Sequence, residues 1–146
     1  MSASQCLCNV AALKSQCGCV QSLMPQFSLV VATKGRTGEL ARLIASIEGQ
    51  NGADYELIIV DQNDDERLVS IIHQSADKER ISRIECTPGV SRARNLGGIH
   101  EEVKIIAFPD DDCWYPPGLL EAGSVWFDAN PSYDILSVNS LDEEGT

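Results

Sequence analysis

Three consecutive carboxylates, Asp110, Asp111 and Asp112, are the residues whose type and spacing point most directly to chemistry. They follow the apolar run 105–108, and at the end of a buried strand they would repel one another unless a cation compensated them. Mg2+ and Mn2+ prefer oxygen ligands, and Mg2+ is commonly held by one or two carboxylates together with substrate phosphates. In an extended segment, Asp110 and Asp112 would point to one side and Asp111 to the other. The alternative interpretation is a solvated acidic loop.

Four further side chains are candidate ligands for a nucleotide. Thr33 and Arg36 follow the first apolar run and could contact a base or a phosphate, or Arg36 could simply lie in water. Asp61 ends the second run and could accept hydrogen bonds from a base edge, or cap the helix that follows. Arg94 lies in a predicted helix close to its N-terminus, and both features favour phosphate oxygens. The alternative for Arg94 is a surface ion pair with a nearby glutamate.

Apolar runs of strand length alternate with helical patterns from residue 27 onward, and these elements must position the polar residues. The predicted strands are 27–32, 55–60, 81–85, 103–108 and 135–138, and the predicted helices are 40–47, 66–74, 91–100 and one opened by Pro117. This alternation predicts βαβ units, so we expect an α/β fold with a mostly parallel sheet flanked by helices. In such sheets ligands bind outside the carboxyl ends of the strands, where the polar clusters of this sequence lie.

Length and composition narrow the function classes. A chain of 146 residues fits one domain. Its 22 acidic and 11 basic side chains give a net charge of -11, and a field of that sign disfavours a nucleic-acid partner. An anionic ligand would therefore need a cation, an arginine or a helix N-terminus to bind. Neither G-x-G-x-x-G nor the P-loop pattern is present, which excludes the dehydrogenases and NTPases that depend on those loops.

The first 26 residues show neither pattern, so we expect a poorly ordered N-terminal extension ahead of a domain at 27–146. Four cysteines in this extension form two C-x-C pairs, Cys6 with Cys8 and Cys17 with Cys19. They could hold a metal, but structural zinc sites more often use C-x2-C, and a disordered tail is the simpler interpretation. No apolar stretch is long enough to span a membrane, which leaves only peripheral association, and no secretory signal is evident. We therefore expect a cytoplasmic protein whose six cysteines are reduced.

Four segments, in this order along the chain, resemble family 2 glycosyltransferases of the GT-A fold. Residues 27–36 resemble the opening strand and turn, although Gly35 stands where the family usually has Asn. Residues 56–61 resemble the second strand, which ends in a base-binding Asp. Residues 89–97 resemble the G-x-S-x-A-R-N-x-G stretch, and residues 108–117 resemble the D-x-D segment with its downstream Pro. The resemblance covers about residues 27 to 140 and is more specific than any single motif.

The resemblance implies a donor site. Asp112 would be the metal ligand for Mg2+ or Mn2+, and the side chains facing the nucleotide sugar would be Thr33, Arg36, Asp61, Arg94, Asp110 and Asp111. The donor would be a nucleoside-diphosphate sugar, a UDP-sugar in our interpretation. Transfer would be inverting, to a glycan or lipid acceptor, in the assembly of a surface polysaccharide or glycolipid.

The family's catalytic base lies in an acceptor half beyond the position of Thr146, so we interpret the chain as incomplete and leave the base unassigned. Two other functions stay open. One is a remnant that binds nucleotide without transferring sugar. The other is a nucleotidyltransferase of similar fold, whose G-x-G-T-R loop is only faintly resembled by residues 33–38.

Overall fold

A computed structural model of the chain describes residues 25–89, Asn95 and residues 103–138, together with the backbone of 11–14. The strands are β1 (Ala11–Lys14), β2 (Phe27–Thr33), β3 (Tyr55–Asp61), β4 (Ile81–Glu85), β5 (Ile105–Ala107) and β6 (Ile135–Ser137). The helices are α1 (Gly38–Glu48), α2 (Val69–Gln74) and α3 (Leu119–Ala129), with a short 3-10 turn at Lys78–Arg80. The described strands form one sheet in the order β4-β3-β2-β5-β1-β6.

The centre of the sheet is parallel, as the alternation of elements predicts. β2 pairs with β3 from Phe27 opposite Tyr55 to Thr33 opposite Asp61, and β4 and β5 extend the parallel pairing on either side. β2 and β3 are almost entirely buried, which explains their nearly continuous Val, Leu and Ile sequences. The predicted α/β class is therefore confirmed.

The helices pack on one face of this sheet. α1 buries the four residues that its i, i+3, i+4, i+7 pattern predicts, Leu40, Leu43, Ile44 and Ile47. Each such burial stabilises the fold by about 1.5–3 kcal/mol relative to an exposed side chain. Leu68 and Phe127 join the same core from the segments around α2 and α3. This packing fixes the helices relative to the strands and therefore fixes the loops that leave the strand ends.

β1 lies inside the N-terminal segment for which we expected no strand. It runs antiparallel between β5 and β6, with Ala12 opposite Ala107 on one side and Leu136 on the other. The expectation of an unstructured extension is therefore wrong for residues 11–14. Four residues are too few to show a periodicity of their own, and an antiparallel strand needs no preceding helix. The conformation of this segment depends on its two neighbouring strands, which the local sequence does not reveal.

Two predicted helices differ from expectation or lie largely outside the described residues. α2 begins at Val69 and not at Glu66, because the Asp65 side chain accepts the backbone N–H of Arg67 and forms a local turn that competes with the helix. The predicted helix 91–100 lies outside the described residues except for Asn95, which is helical. No helix in the described part of the chain is long and apolar enough to cross a membrane.

Candidate functional site

The carboxyl ends of the parallel strands form the candidate site. Thr33, Asp61 and Glu85 are the last residues of three adjacent strands and lie opposite one another in the sheet. β5 runs in the same direction, so the chain after Ala107 continues towards the same edge. A cleft of about 600 Å³ opens there, lined by residues 34–35, 62–64, 67 and 85–88. This is the edge at which α/β sheets bind their ligands.

The acidic triplet meets the first loop through Arg36. One guanidinium nitrogen, Nη1, lies 2.8 Å from Asp111 Oδ1 and 2.5 Å from Asp112 Oδ2. Asp111 and Asp112 therefore converge, and the expectation that Asp111 points away from Asp112 is wrong. The reason is that the chain turns here and is not extended, with the N–H of Cys113 bonded to the carbonyl oxygen of Asp110 at 3.3 Å. Alternation of side chains holds only for an extended segment.

The Arg36 ion pairs differ in their exposure to water. The hydrogen bond to Asp112 and the charge of Asp111 raise the pKa of the guanidinium group above its ordinary value. The side chains of Arg36 and Asp112 are 45% and 41% exposed, so this pair is worth only about 0.2–1 kcal/mol, whereas the side chain of Asp111 is only 13% exposed. Arg36 thus compensates the negative charge of the acidic triplet. A ligand that displaces Arg36 from Asp112 has to break only a weak ion pair.

Asp61 is fully buried and its carboxylate is held from two sides. Oδ2 accepts a hydrogen bond from Arg83 Nε at 2.8 Å, and Oδ1 accepts from the backbone N–H of Asn63 at 2.9 Å and from its Nδ2 at 2.7 Å. Asp61 does not cap α2, which begins only at Val69. The carboxylate thus fixes the turn that follows β3, where the cleft begins.

Arg83 was not singled out by sequence reasoning, yet it links Asp61 to the rim of the cleft. Besides Asp61, its guanidinium contacts Glu66 at 2.8 Å and Glu85 at 3.3 Å. Burial disfavours the charge of Arg83, but the hydrogen bonds to Asp61 and Glu66 outweigh it, so the pKa of Arg83 is raised. The available signal was an arginine within a short strand beside a strand that ends in a buried aspartate.

Gln62 and Asn63 join three loops of the site. Asn63 Oδ1 accepts the backbone N–H of Gly35 at 2.6 Å, and Gln62 Oε1 accepts that of Gly89 at 2.7 Å. The backbone N–H of Gln62 bonds to the carbonyl oxygen of Thr33 at 3.0 Å. Sequence reasoning did not single out these two amides. Their position directly after a buried strand, where amides can bond neighbouring backbone, was the signal for this role.

Three predicted residues have different outcomes. Thr33 is 1% exposed, and its Oγ1 has no hydrogen-bond partner among the described residues, so its side chain offers almost no surface to a ligand. Asp110 is half-buried at the same strand end as Asp111. Arg94 lies outside the described residues. The structure therefore brings together Arg36, Asp111 and Asp112, with Asp61 behind the neighbouring loop.

The donor set suits a cation that is also held by a ligand. The described residues contain no group of three or more His, Cys, Asp or Glu side chains that could hold a metal ion. Oδ1 of Asp111 and Oδ2 of Asp112 nevertheless converge on a single nitrogen. Two such oxygens match the one or two carboxylates with which Mg2+ is usually bound when phosphates supply further ligands.

Cys113 differs from the expectation of reduced thiols. It is 2% exposed and disulfide-bonded, whereas Cys86 is free. Its Sγ lies 3.7 Å from Asp112 Oδ1, a contact without a hydrogen bond because a disulfide carries no S–H. A disulfide depends on the approach of two cysteines in the fold. Residue spacing alone could not reveal it.

Two sequence comparisons show which proteins this chain is similar to. The model of Glycosyl transferase family 2 matches residues 28–140. The chain is also 28% identical over 110 residues to an uncharacterized glycosyltransferase of Haemophilus influenzae, an alignment that covers 75% of this chain and 37% of that protein.

The fold is similar to that of solved glycosyltransferase structures. S. aureus TarS 1-349 has a TM-score of 0.65 at 20% identity, covering 73% of this chain and 33% of that chain. Its complex with UDP-GlcNAc gives 0.64 at 20% identity, with 73% and 32% covered. The mannosyltransferase PcManGT from Pyrobaculum calidifontis, in complex with GDP-Man and Mn2+, gives 0.62 at 21% identity, with 73% and 33% covered. This chain thus spans about a third of the length of these relatives.

Proposed function

The chain belongs to glycosyl transferase family 2, and from this premise we propose that it binds a nucleoside-diphosphate sugar at the cleft beside Arg36 and the acidic triplet. Its α/β sheet is GT-A-like, and we propose that the chain forms the donor-binding portion of a glycosyltransferase. The observation that carries the proposal is the convergence of Arg36, Asp111 and Asp112 at the carboxyl edge of the parallel sheet. We propose that residues 27–146 form the donor domain and that β1 completes its sheet.

The chemistry of the leaving group supports this assignment. A departing nucleoside diphosphate carries negative charge that an anionic protein must stabilise locally. Asp111 and Asp112 would hold Mg2+ or Mn2+, which when bound neutralises the diphosphate. Arg36 adds a guanidinium group that suits phosphate oxygens. Asn63 lines the cleft, and Asp61 and Arg83 keep its loop in place.

The donor is proposed to be a UDP-sugar, and the acceptor a glycan or lipid. TarS has been solved with UDP and with UDP-GlcNAc, and PcManGT with GDP-Man and Mn2+, which supports a nucleotide-sugar donor of this general kind. Inversion by direct displacement requires a carboxylate base for the acceptor hydroxyl. We expect this base in the sequence that corresponds to the part of the relatives that this chain does not span. We also propose a cytoplasmic location with peripheral membrane contact, in which burial would have to protect the Cys113 disulfide from reduction.

Calorimetric titration with UDP, in Mn2+ and again in EDTA, tests the donor site. We expect weak binding in Mn2+ and at least a tenfold loss of affinity in EDTA, a difference of about 1.4 kcal/mol. Equal affinity in both buffers would contradict the metal role. No binding of UDP, GDP or their sugar derivatives in either buffer would contradict the donor site.

A further inference from the structure

We propose that Arg36 is an internal counter-ion that takes the place of the divalent cation between Asp111 and Asp112 and moves to the diphosphate when nucleotide binds. The inference deepens the proposed function and rests on it for the identity of the nucleotide. It adds a coupling: metal binds weakly to the free protein and tightly once nucleotide has drawn Arg36 away.

The distances make guanidinium and metal mutually exclusive. Arg36 Nη1 lies 2.8 Å from Asp111 Oδ1 and 2.5 Å from Asp112 Oδ2, so it already occupies the point where these oxygens converge. A Mg2+ ion would need the same oxygens at about 2.0–2.1 Å. An ion at that distance would overlap the nitrogen and repel its charge. The cation can therefore bind both carboxylates only after Arg36 has left.

A counter-ion is needed because the acidic triplet lies in a protein that is already strongly negative. The protein carries a net charge of -11, and three adjacent carboxylates at a strand end repel one another. Arg36 compensates two of them without closing the site, because its own side chain remains 45% exposed. The pair with Asp112 is exposed on both sides and therefore weak, so a stronger anion can compete for the guanidinium group.

A diphosphate is such an anion, and Arg36 lies beside the cleft in which we propose that the diphosphate binds. The two preceding residues, Lys34 and Gly35, line the cleft. The N–H of Gly35 is anchored on Asn63 Oδ1, so the loop has a fixed base from which the Arg36 side chain extends. Phosphate oxygens accept two parallel N–H bonds from a guanidinium group. Nucleotide binding then frees Asp111 and Asp112 for the metal, and by linkage the metal raises nucleotide affinity by the same factor.

Mn2+ binding to the 146-residue chain, followed by electron paramagnetic resonance without nucleotide, tests the counter-ion directly. Arg36→Gln should bind Mn2+ at least fivefold more tightly than the wild type, and Arg36→Lys should stay close to the wild type because it keeps the charge. Arg42→Gln is the matched control, since Arg42 is exposed on α1 and its loss changes the net charge equally. Arg42→Gln should change Mn2+ affinity less than twofold.

Adding UDP tests the coupling. Wild-type affinity for Mn2+ should rise by about 5–150-fold, the usual range for coupled sites, and the rise should be smaller in Arg36→Gln. An unchanged Mn2+ affinity in Arg36→Gln, or an equal gain in Arg42→Gln, would overturn the inference. If neither UDP nor GDP nor their sugar derivatives bind but Arg36→Gln still gains Mn2+ affinity, the counter-ion stands and the proposed function fails. Circular dichroism of each variant checks that it is folded, and Arg36→Met replaces Arg36→Gln if the latter is not.

Discussion

Asp61 and Arg83 form the most buried ion pair among the described residues of the site, with Arg83 Nε 2.8 Å from Asp61 Oδ2 and the carboxylate 0% exposed. The pair joins the end of β3 to the edge strand β4. A buried carboxylate without its cation is strongly destabilised. The position of the loop that carries Asn63 therefore depends on an arginine one strand away.

Arg83→Met should lower the free energy of unfolding by about 3 kcal/mol, the low end for a broken buried pair, because Arg83 itself keeps 19% exposure. Urea denaturation monitored by tryptophan fluorescence measures this change. The double variant Asp61→Asn with Arg83→Met should lose less than the sum of the two single variants, because the uncompensated charge is gone. Simple additivity would show that the pair is not coupled.

Asn63→Asp should destabilise the protein although the side chain keeps its shape. The Nδ2 donor, 2.7 Å from Asp61 Oδ1, would be replaced by a carboxylate oxygen that repels it. We expect a loss of about 1–3 kcal/mol in the free energy of unfolding, again from urea denaturation. Asn51→Asp is the control, because Asn51 is exposed in the turn after α1 and should stay within about 0.5 kcal/mol of wild type.

Asp111→Asn and Asp112→Asn should weaken Mn2+-dependent UDP binding to a similar extent, because both carboxylates contact the same nitrogen of Arg36. We expect each variant to remove most of the affinity difference between Mn2+ and EDTA in calorimetry. Asp128→Asn is the control, since Asp128 lies on α3 and pairs with Lys104 at 3.0 Å. A large effect for Asp112 with none for Asp111 would restore the extended geometry that the alternation of side chains predicts.

The sequence allowed prediction of those parts of the fold whose local pattern and tertiary environment agree. α1 carries a strong apolar periodicity, β2 and β3 are nearly continuous apolar runs, and the burial of all three follows these patterns. The acidic triplet and Arg36 were singled out as candidate ligands from their residue types. Their contact was not predicted, because it depends on a turn that the spacing of the residues does not reveal. Arg83 and β1 depend on partners far along the chain, so no local pattern marks them.

Ala12→Pro should destabilise the sheet, because it removes the backbone N–H of a residue paired between β5 and β6. A buried carbonyl left without its donor costs about 1–3 kcal/mol, and each kcal/mol lowers the thermal midpoint by about 2–4 °C at this size. Ala12→Val keeps the N–H and favours a strand, so its midpoint should stay close to wild type. Equal midpoints for Pro and Val would mean that β1 contributes nothing to stability.

Sugar transfer by the 146 residues alone should be slow even where the donor binds. This expectation follows from the proposed function and from the coverage, since the chain spans about a third of the length of its relatives. A general base contributes about 10² to 10⁴ in rate, and positioning of the acceptor contributes up to about 7–11 kcal/mol. Without these contributions, the metal and Arg36 could assist only departure of the diphosphate, giving slow hydrolysis of the donor by water. A radiolabelled-donor assay over lipid and glycan acceptors, with released sugar quantified beside transferred sugar, measures both reactions. Rapid transfer that Asp112→Asn abolishes would show that these residues already contain a base and an acceptor surface.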